Sequence, residues 1–325
     1  MSFFDDVLAH LPSEAAHVKE DEKSIMAPFA YTAQHKGKDI RGRLIAGLNL
    51  WLNAPPDAVQ AVAEVVAGLH AASLMLDDIE DSSDTRRGQP AAHIVYGIPQ
   101  TMNAGNYACA KVYADVKKLY PFLTAKKPSL EDVLTEELLS LFRGQGLDIL
   151  WRDTHRCPTE EGYVRMINGK ASGLLRLAAR LLSACGTTNT DRDYVPLMNL
   201  VGIFGQIRDD FMNIYSTEYT NTKGFADDIS EGKYSFPMIH GIQASMGDTT
   251  LEDILKQRPT TPTLKVKAID YLTDVTKSYD YTVDVMQKLE DQMRAEIRRL
   301  GGNDILETLV DYLHVDPSKI ERPRV

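Results

Sequence analysis

The stretch LMNLVGIFGQIRDDFMNIY, residues 197–215, is apolar around most of a helical circumference before it meets two adjacent acids. A helix apolar over more than half of its circumference, as 197–207 is, is usually surrounded by other helices. The segment therefore predicts a central helix of a bundle. Asp209 and Asn213 stand at i and i+4 near its end, Asp210 lies between them, and Gln206 comes one turn earlier.

Helical periodicity continues on both sides. Ile40, Leu44, Ile45, Leu48 and Leu52 recur at spacings of three and four, which predicts a helix from about residue 40. Similar patterns predict helices over roughly 57–81, 100–119, 130–150, 159–185, 191–216, 235–246, 264–299 and 303–314. Breakers separate them at Pro55-Pro56, Gly88 to Pro90, Pro121, Pro128, Pro158, Gly186, Gly247, Pro259 and Gly301-Gly302. No alternating strands flank an Asn-Gly or Asp-Gly pair, so no hairpin is expected. The unbroken run of helices predicts one all-α domain over 30–325, preceded by a charged lead-in at 1–29.

The acids of the opening stretch have a counterpart about 130 residues upstream. LMLDDIEDSSDTRRGQP, residues 74–90, places four acids in five positions directly after the apolar AVAEVVAGLHAASLML. Asp77 and Asp81 fall on one face, a turn apart, with Asp78 beside them. One such cluster alone reads as a solvated helix end. Two clusters matched in spacing, each at the end of a core-like helix, need a counter-ion, because burying uncompensated carboxylates costs several kcal/mol per charge. Facing oxygen-rich surfaces suit hard divalent ions, and Mg2+ accepts few carboxylates while substrate phosphates complete its shell.

Cationic residues are spaced to complement these acids. Arg86 and Arg87 follow the first cluster, Lys38 and Arg41 lie in GKDIR, Lys170 lies in MINGKASGLLRL, and Lys223 and Lys233 bracket KGFADDISEGK. Each alone is an ordinary surface charge; around a Mg2+ cluster they describe a diphosphate site. A lone His in an apolar helix is commonly a satisfied core residue. His70 nevertheless sits two turns before Asp77 on the same side, which favours a diphosphate role.

Bulk composition sets the limits. Lys and Arg number 36 against 46 Asp and Glu, for a net charge of -10, which argues against binding nucleic acid through a generally basic surface. Cys109, Cys157 and Cys185 are widely spaced and form no CxxC pair, as expected of reduced thiols in a cytosolic protein. The acidic N-terminus does not resemble a signal peptide, and Glu64 and His70 interrupt the most apolar window as a membrane span.

The chain resembles the trans-isoprenyl diphosphate synthases, especially the fungal and animal geranylgeranyl diphosphate synthase branch. The resemblance rests on GKDIR (37–41), LHAASLMLDDIEDSSDTRRGQPAAHIVYG (69–97), FRGQGLDILWRD (142–153), GKASGLLRLAARL (169–181) and GQIRDDFMNIYSTEYTNTKGFADDISEGKYSFPMIHG (205–241). It covers about 30–314, and is similar as well to the prenyltransferase half of fungal bifunctional terpene synthases, so a fused cyclase domain in a longer protein stays open. The resemblance implies an isoprenoid synthase helical bundle with a central active-site cavity, at least a homodimer, and Mg2+, three ions with bound diphosphate. It implies that Asp77, Asp81 and Asp209 hold Mg2+, supported by Asp78 and Asp210. Lys38, Arg41, His70 and Arg87 match the residues that bind isopentenyl diphosphate. Arg86, Lys170, Gln206, Asn213, Lys223 and Lys233 match those around the allylic diphosphate, whether dimethylallyl, geranyl or farnesyl. One departure is Ala171, where the family usually has Thr after the central Lys.

The implied reaction is ionisation of an allylic diphosphate, attack by the isopentenyl double bond, and proton loss. Small Ala72 and Ser73 before Asp77 leave room for a long tail. Cys109 and Ala110 align where twenty-carbon enzymes usually carry a bulky aromatic pair, and Phe142 could restore some of that bulk. Geranylgeranyl diphosphate is the expected product, with C25–C30 products close behind. A class I terpene cyclase would need only one diphosphate site, and a non-catalytic regulatory subunit should have lost carboxylates from one cluster; RRG and two intact clusters favour elongation over both.

Overall fold

The computed structural model describes Phe4 and residues 18–35, 37, 39–124, 129–217, 219 and 224–320. In order, the helices are α1 Val18–Ile25, α2 Ala27–Gln34, α3 Ile40–Leu52, α4 Pro56–Glu80, α5 Ala92–Tyr96, α6 Ile98–Val116, α7 Leu130–Asp153, α8 Glu160–Lys170, α9 Gly173–Cys185, α10 Val195–Tyr215, α11 Asp227–Glu231, α12 Phe236–Ala244, α13 Thr250–Gln257, α14 Pro262–Asp270, α15 Ser278–Arg299 and α16 Asp304–Leu313. Short 3-10 turns span Lys117–Phe122 and Pro317–Lys319, and a π turn spans Tyr271–Val275.

Local chemistry explains many starts. Proline occupies the first turn of α4, α6, α10, α12 and α14, where its missing N–H is no loss. Ser129, Thr159 and Asn303 cap α7, α8 and α16 by accepting from Asp132, Gly162 and Leu306 N–H groups at 3.1, 3.0 and 3.1 Å.

α10 is the central helix that its composition requires. Phe204, Ile207, Phe211 and Ile214 are buried, and α8, α9, α11, α12 and α15 pack around it. α4 packs against α2, α3, α6 and α9 and sends Val62, Val65, Val66 and Leu69 into the same core. By length and composition alone α4 could cross a membrane; a core helix satisfies the same criterion.

Four features differ from the sequence expectations. The helix expected over 159–185 breaks at Ala171-Ser172, where Arg176 reaches back and donates to the Asn168 carbonyl at 2.8 Å, capping the end of α8. The one expected over 264–299 is divided by the π turn and by Lys277, which adopts φ 56°. A two-stranded ribbon, β1 Thr85–Arg86 and β2 Gln89–Pro90, stands where no hairpin was expected. Its turn is Arg87-Gly88, both at positive φ, the geometry of a tight two-residue hairpin without the Asn-Gly signature. Two helices, α1 and α2, fall across the expected lead-in, and Phe29 and Tyr31 pack on Met75, Ala92 and Ala104.

Candidate active site

The acids at the ends of α4 and α10 share an electrostatic neighbour, because Lys233, which pairs with Asp210, also acts on Asp77. The ribbon after α4 folds Arg86 back so that its Nε donates to Asp78 Oδ1 at 2.7 Å and its Nη2 to Asp77 Oδ2 at 3.2 Å. From α7, Gln145 donates to Asp77 Oδ1 at 3.1 Å and to Glu80 Oε2 at 2.7 Å. Lys170, the last residue of α8, bridges Asp148 Oδ2 at 2.7 Å and Asp77 Oδ1 at 3.4 Å. Arg152 pairs with Asp81 and donates to the Glu80 carbonyl at 2.9 Å, closing the end of α4.

The second cluster is more deeply set. Asp210 is wholly buried and accepts from Lys233, Gln206, Tyr163 and the Phe236 backbone N–H. Asp209 accepts from the Tyr219 hydroxyl at 2.7 Å. Asn213 Oδ1 accepts from the Asp228 N–H at 3.1 Å, so its carboxamide holds the start of α11. α11 turns at Gly232, φ 74°, to aim Lys233 back at Asp210 Oδ1 at 2.9 Å and Asp228 Oδ2 at 3.4 Å.

The electrostatics couple the two ends. Burial raises Asp77, but Lys170, then Arg86 and Lys233, outweigh it and hold the carboxyl below its usual range. Burial and then the Asp77 charge push Asp81 up to about 6. Burial, then Asp228 and Asp81, push Glu231 up to about 8. Burial would lower Lys170, yet Asp148 and Asp77 raise it. Ser83, just past the first cluster, donates to Glu231 Oε1 at 3.5 Å across the gap.

A third group lies along α3 and the ribbon. The Arg41 guanidinium is 2.8 Å from His70 Nδ1, and burial followed by Arg41 lowers His70 to about 2, so the ring is neutral. Arg87 donates to the His35 carbonyl and lies against Gly37, where a Cβ would meet its Nη2 at 2.9 Å. Burial and then Arg87 lower Arg41 to about 10. Lys38 and Lys223 lie outside the described residues.

The chain-length candidates are distributed differently. Ala72 is buried, Ser73 donates to the His70 carbonyl at 2.9 Å, and Cys109 is half-buried. Ala110 is exposed and Phe142 is 47% exposed, so neither faces the interior of the single chain.

Several participants carried no role in the sequence reading. Gln145, Asp148 and Arg152 stand at i, i+3 and i+7 on α7, one polar stripe aimed at Asp77 and Asp81. That stripe in FRGQGLDILWRD was the available signal. Tyr163 had none, because its partner Asp210 is distant in sequence.

A profile of the polyprenyl synthetase family matches residues 22–272. The chain belongs to that family. A geranylgeranyl pyrophosphate synthase of Hericium erinaceus is 45% identical over 94% of this chain and 96% of its own length. One of Mucor circinelloides f. lusitanicus is 43% identical over 93% and 98%. An IDS-like terpene synthase of Melampsora lini is 42% identical over 97% and 96%. Membership makes the chain a prenyltransferase with an all-α fold.

The residues present fit Mg2+. The donor set is made of carboxylate oxygens, which this hard ion prefers, and burial, then neighbouring carboxylates, push Asp81 and Glu231 up, a cost that a divalent ion would relieve. Among the described residues no three His, Cys, Asp or Glu side chains already converge as a ligand set, so water and diphosphate oxygens would complete the shell.

Proposed function

We propose that the chain adds isopentenyl diphosphate to allylic diphosphates and releases geranylgeranyl diphosphate as its main product. The observation that carries this reading is the pair of acid clusters at the ends of α4 and α10, paired with Arg86, Lys170 and Lys233 and linked by Lys233, which acts on both. Asp77, Asp81 and Asp209 would hold Mg2+, which when bound neutralises the allylic diphosphate and eases its departure. Lys170, Arg86, Lys233 and Gln206 bind the departing diphosphate as it takes the C–O electron pair. Arg41, Arg87 and neutral His70 form a separate cationic pocket for the isopentenyl diphosphate. Its double bond attacks the allylic cation, and the proton then lost passes to the released diphosphate.

Two further assignments belong to this reading. Ile98 and Met102 on α6 and Leu139, Phe142 and Leu150 on α7 are exposed apolar residues, and they support a homodimer that covers them. In such a dimer Ala110 and Phe142 would meet the tail path only with help from the partner subunit. Three free cysteines support residence in the reducing cytosol.

The test is mass spectrometry of products from isopentenyl diphosphate, each allylic primer and Mg2+, before and after phosphatase treatment. A twenty-carbon alcohol after phosphatase supports the proposal; a longer alcohol corrects the chain length. The Melampsora relative's name gives weight to one other outcome: a hydrocarbon formed without phosphatase would identify a cyclase. No turnover with any primer would favour a regulatory subunit.

A further inference from the structure

Asp210 has no free lone pair to offer a metal. Its Oδ1 accepts from Gln206 Nε2 at 3.0 Å and Lys233 Nζ at 2.9 Å, and its Oδ2 accepts from the Phe236 N–H at 2.9 Å and from the Tyr163 hydroxyl. Four donors saturate the roughly four acceptor directions of a carboxylate. Two of them, Lys233 and Gln206, are side chains assigned above to the allylic diphosphate. The other two, Tyr163 and the Phe236 N–H, are fully buried parts of the scaffold.

We propose that Tyr163 is a positioning residue for diphosphate binding, acting through Asp210 on Lys233 and Gln206. The inference rests on the functional reading above and deepens it. Tyr163 is itself rigidly placed: its ring lies 5.6 Å from that of Phe236, and it sits one turn into α8, whose start Thr159 caps. Lys170 follows seven residues later, two turns along the same face of α8. One short helix thereby registers both cations, Lys170 directly against Asp77 and Lys233 indirectly through Asp210. Without the hydroxyl, Oδ2 keeps only the Phe236 N–H, the carboxylate is held less firmly, and the ammonium and carboxamide on Oδ1 aim less precisely.

Tyr163→Phe keeps the ring packing and removes only the hydroxyl. Calorimetric titration of the full chain with inorganic diphosphate and Mg2+ should show binding about tenfold weaker than in the parent protein, the scale of one hydrogen bond to a charged group. KM for the allylic diphosphate should rise by a similar factor while KM for isopentenyl diphosphate stays unchanged. Tyr281→Phe is the control, because Tyr281 stacks on Phe236 at 6.1 Å but donates to Glu160, and it should alter neither constant. Unchanged diphosphate affinity in Tyr163→Phe overturns the proposal, as does an equal rise in both KM values. Should Tyr163→Phe fail to fold, Asp210→Asn replaces it, with the same loss expected and unchanged affinity equally decisive. If the parent protein itself does not bind diphosphate, the functional reading fails instead.

Discussion

The two acid clusters are near copies in sequence, DDIED at 77–81 and DDFMN at 209–213, yet the fold uses their positions differently. The leading acids are both partly exposed, Asp77 against Arg86, Lys170 and Gln145 and Asp209 against the Tyr219 hydroxyl. Their second acids are structural: Asp78 is locked to Arg86, and Asp210 to Lys233, Tyr163, Gln206 and the Phe236 N–H. The fifth positions diverge, since Asp81 keeps a carboxylate against Arg152 whereas Asn213 spends its oxygen on the Asp228 N–H. Adjacent residues on a helix point about 100° apart, so the first acid of a pair can face substrate only if the second turns into the protein.

Substitutions can break that comparison. The largest effect is expected on turnover: Asp77→Asn or Asp209→Asn should lower kcat by about 10²- to 10³-fold, the scale of removing one preorganised electrostatic group. Equal turnover losses in Asp77→Asn and Asp78→Asn would show that the first cluster does not divide its labour.

The next effect is on stability. Asp78→Ala takes the nearest carboxylate from Arg86 and leaves it only Asp77, and Asp210→Ala leaves Lys233 only the more distant Asp228 and the buried Tyr163 hydroxyl no acceptor. Removing one partner of a buried pair costs about 3–5 kcal/mol. Urea unfolding should show the loss, larger for Asp210 because it satisfies four donors. A loss below 1 kcal/mol in either variant, on the order of an exposed pair, would mean that the site relaxes around the missing acid.

A smaller effect should separate α7 from α8. A Cβ on Gly144 would lie 2.5 Å from the Lys170 backbone nitrogen and 2.7 Å from the Met166 carbonyl oxygen. Gly144→Ala should therefore cost about 1–3 kcal/mol as overpacking. It should also weaken diphosphate binding, because the backbone pushed aside is that of Lys170. Destabilisation without weaker binding would detach the crossing from the site.

The smallest expected effect is pH-dependent. His70 is lowered to about 2 in the fold, so below its unfolded pKa of about 6.5 the unfolded chain binds a proton that the folded chain refuses. Its contribution to stability is complete above pH 6.5 and declines as pH falls toward 2. His70→Gln should flatten the stability profile between pH 6.5 and 5 by at most about 1.4 kcal/mol per pH unit. An unchanged slope would mean that the ring is already protonated.

Much of this was legible in the chain because it is local. Helix periodicity, the apolar girth of 197–207 and the i, i+4 acids each need only neighbouring residues, and they determined an all-helical bundle with two acidic helix ends. The sequence could not divide the roles within each acid pair, since that depends on which side of α4 or α10 faces Arg86, Tyr163 or Phe236, residues from separate elements. It could not show the Arg87-Gly88 hairpin, whose positive φ values come without Asn or Asp. Nor could it place Ala110 and Phe142 on the outside, because helix periodicity identifies an apolar face without saying whether the chain itself covers it. Tertiary structure decided these points, because packing brings distant residues within hydrogen-bonding range and so determines which charges are paired and which are left for substrate.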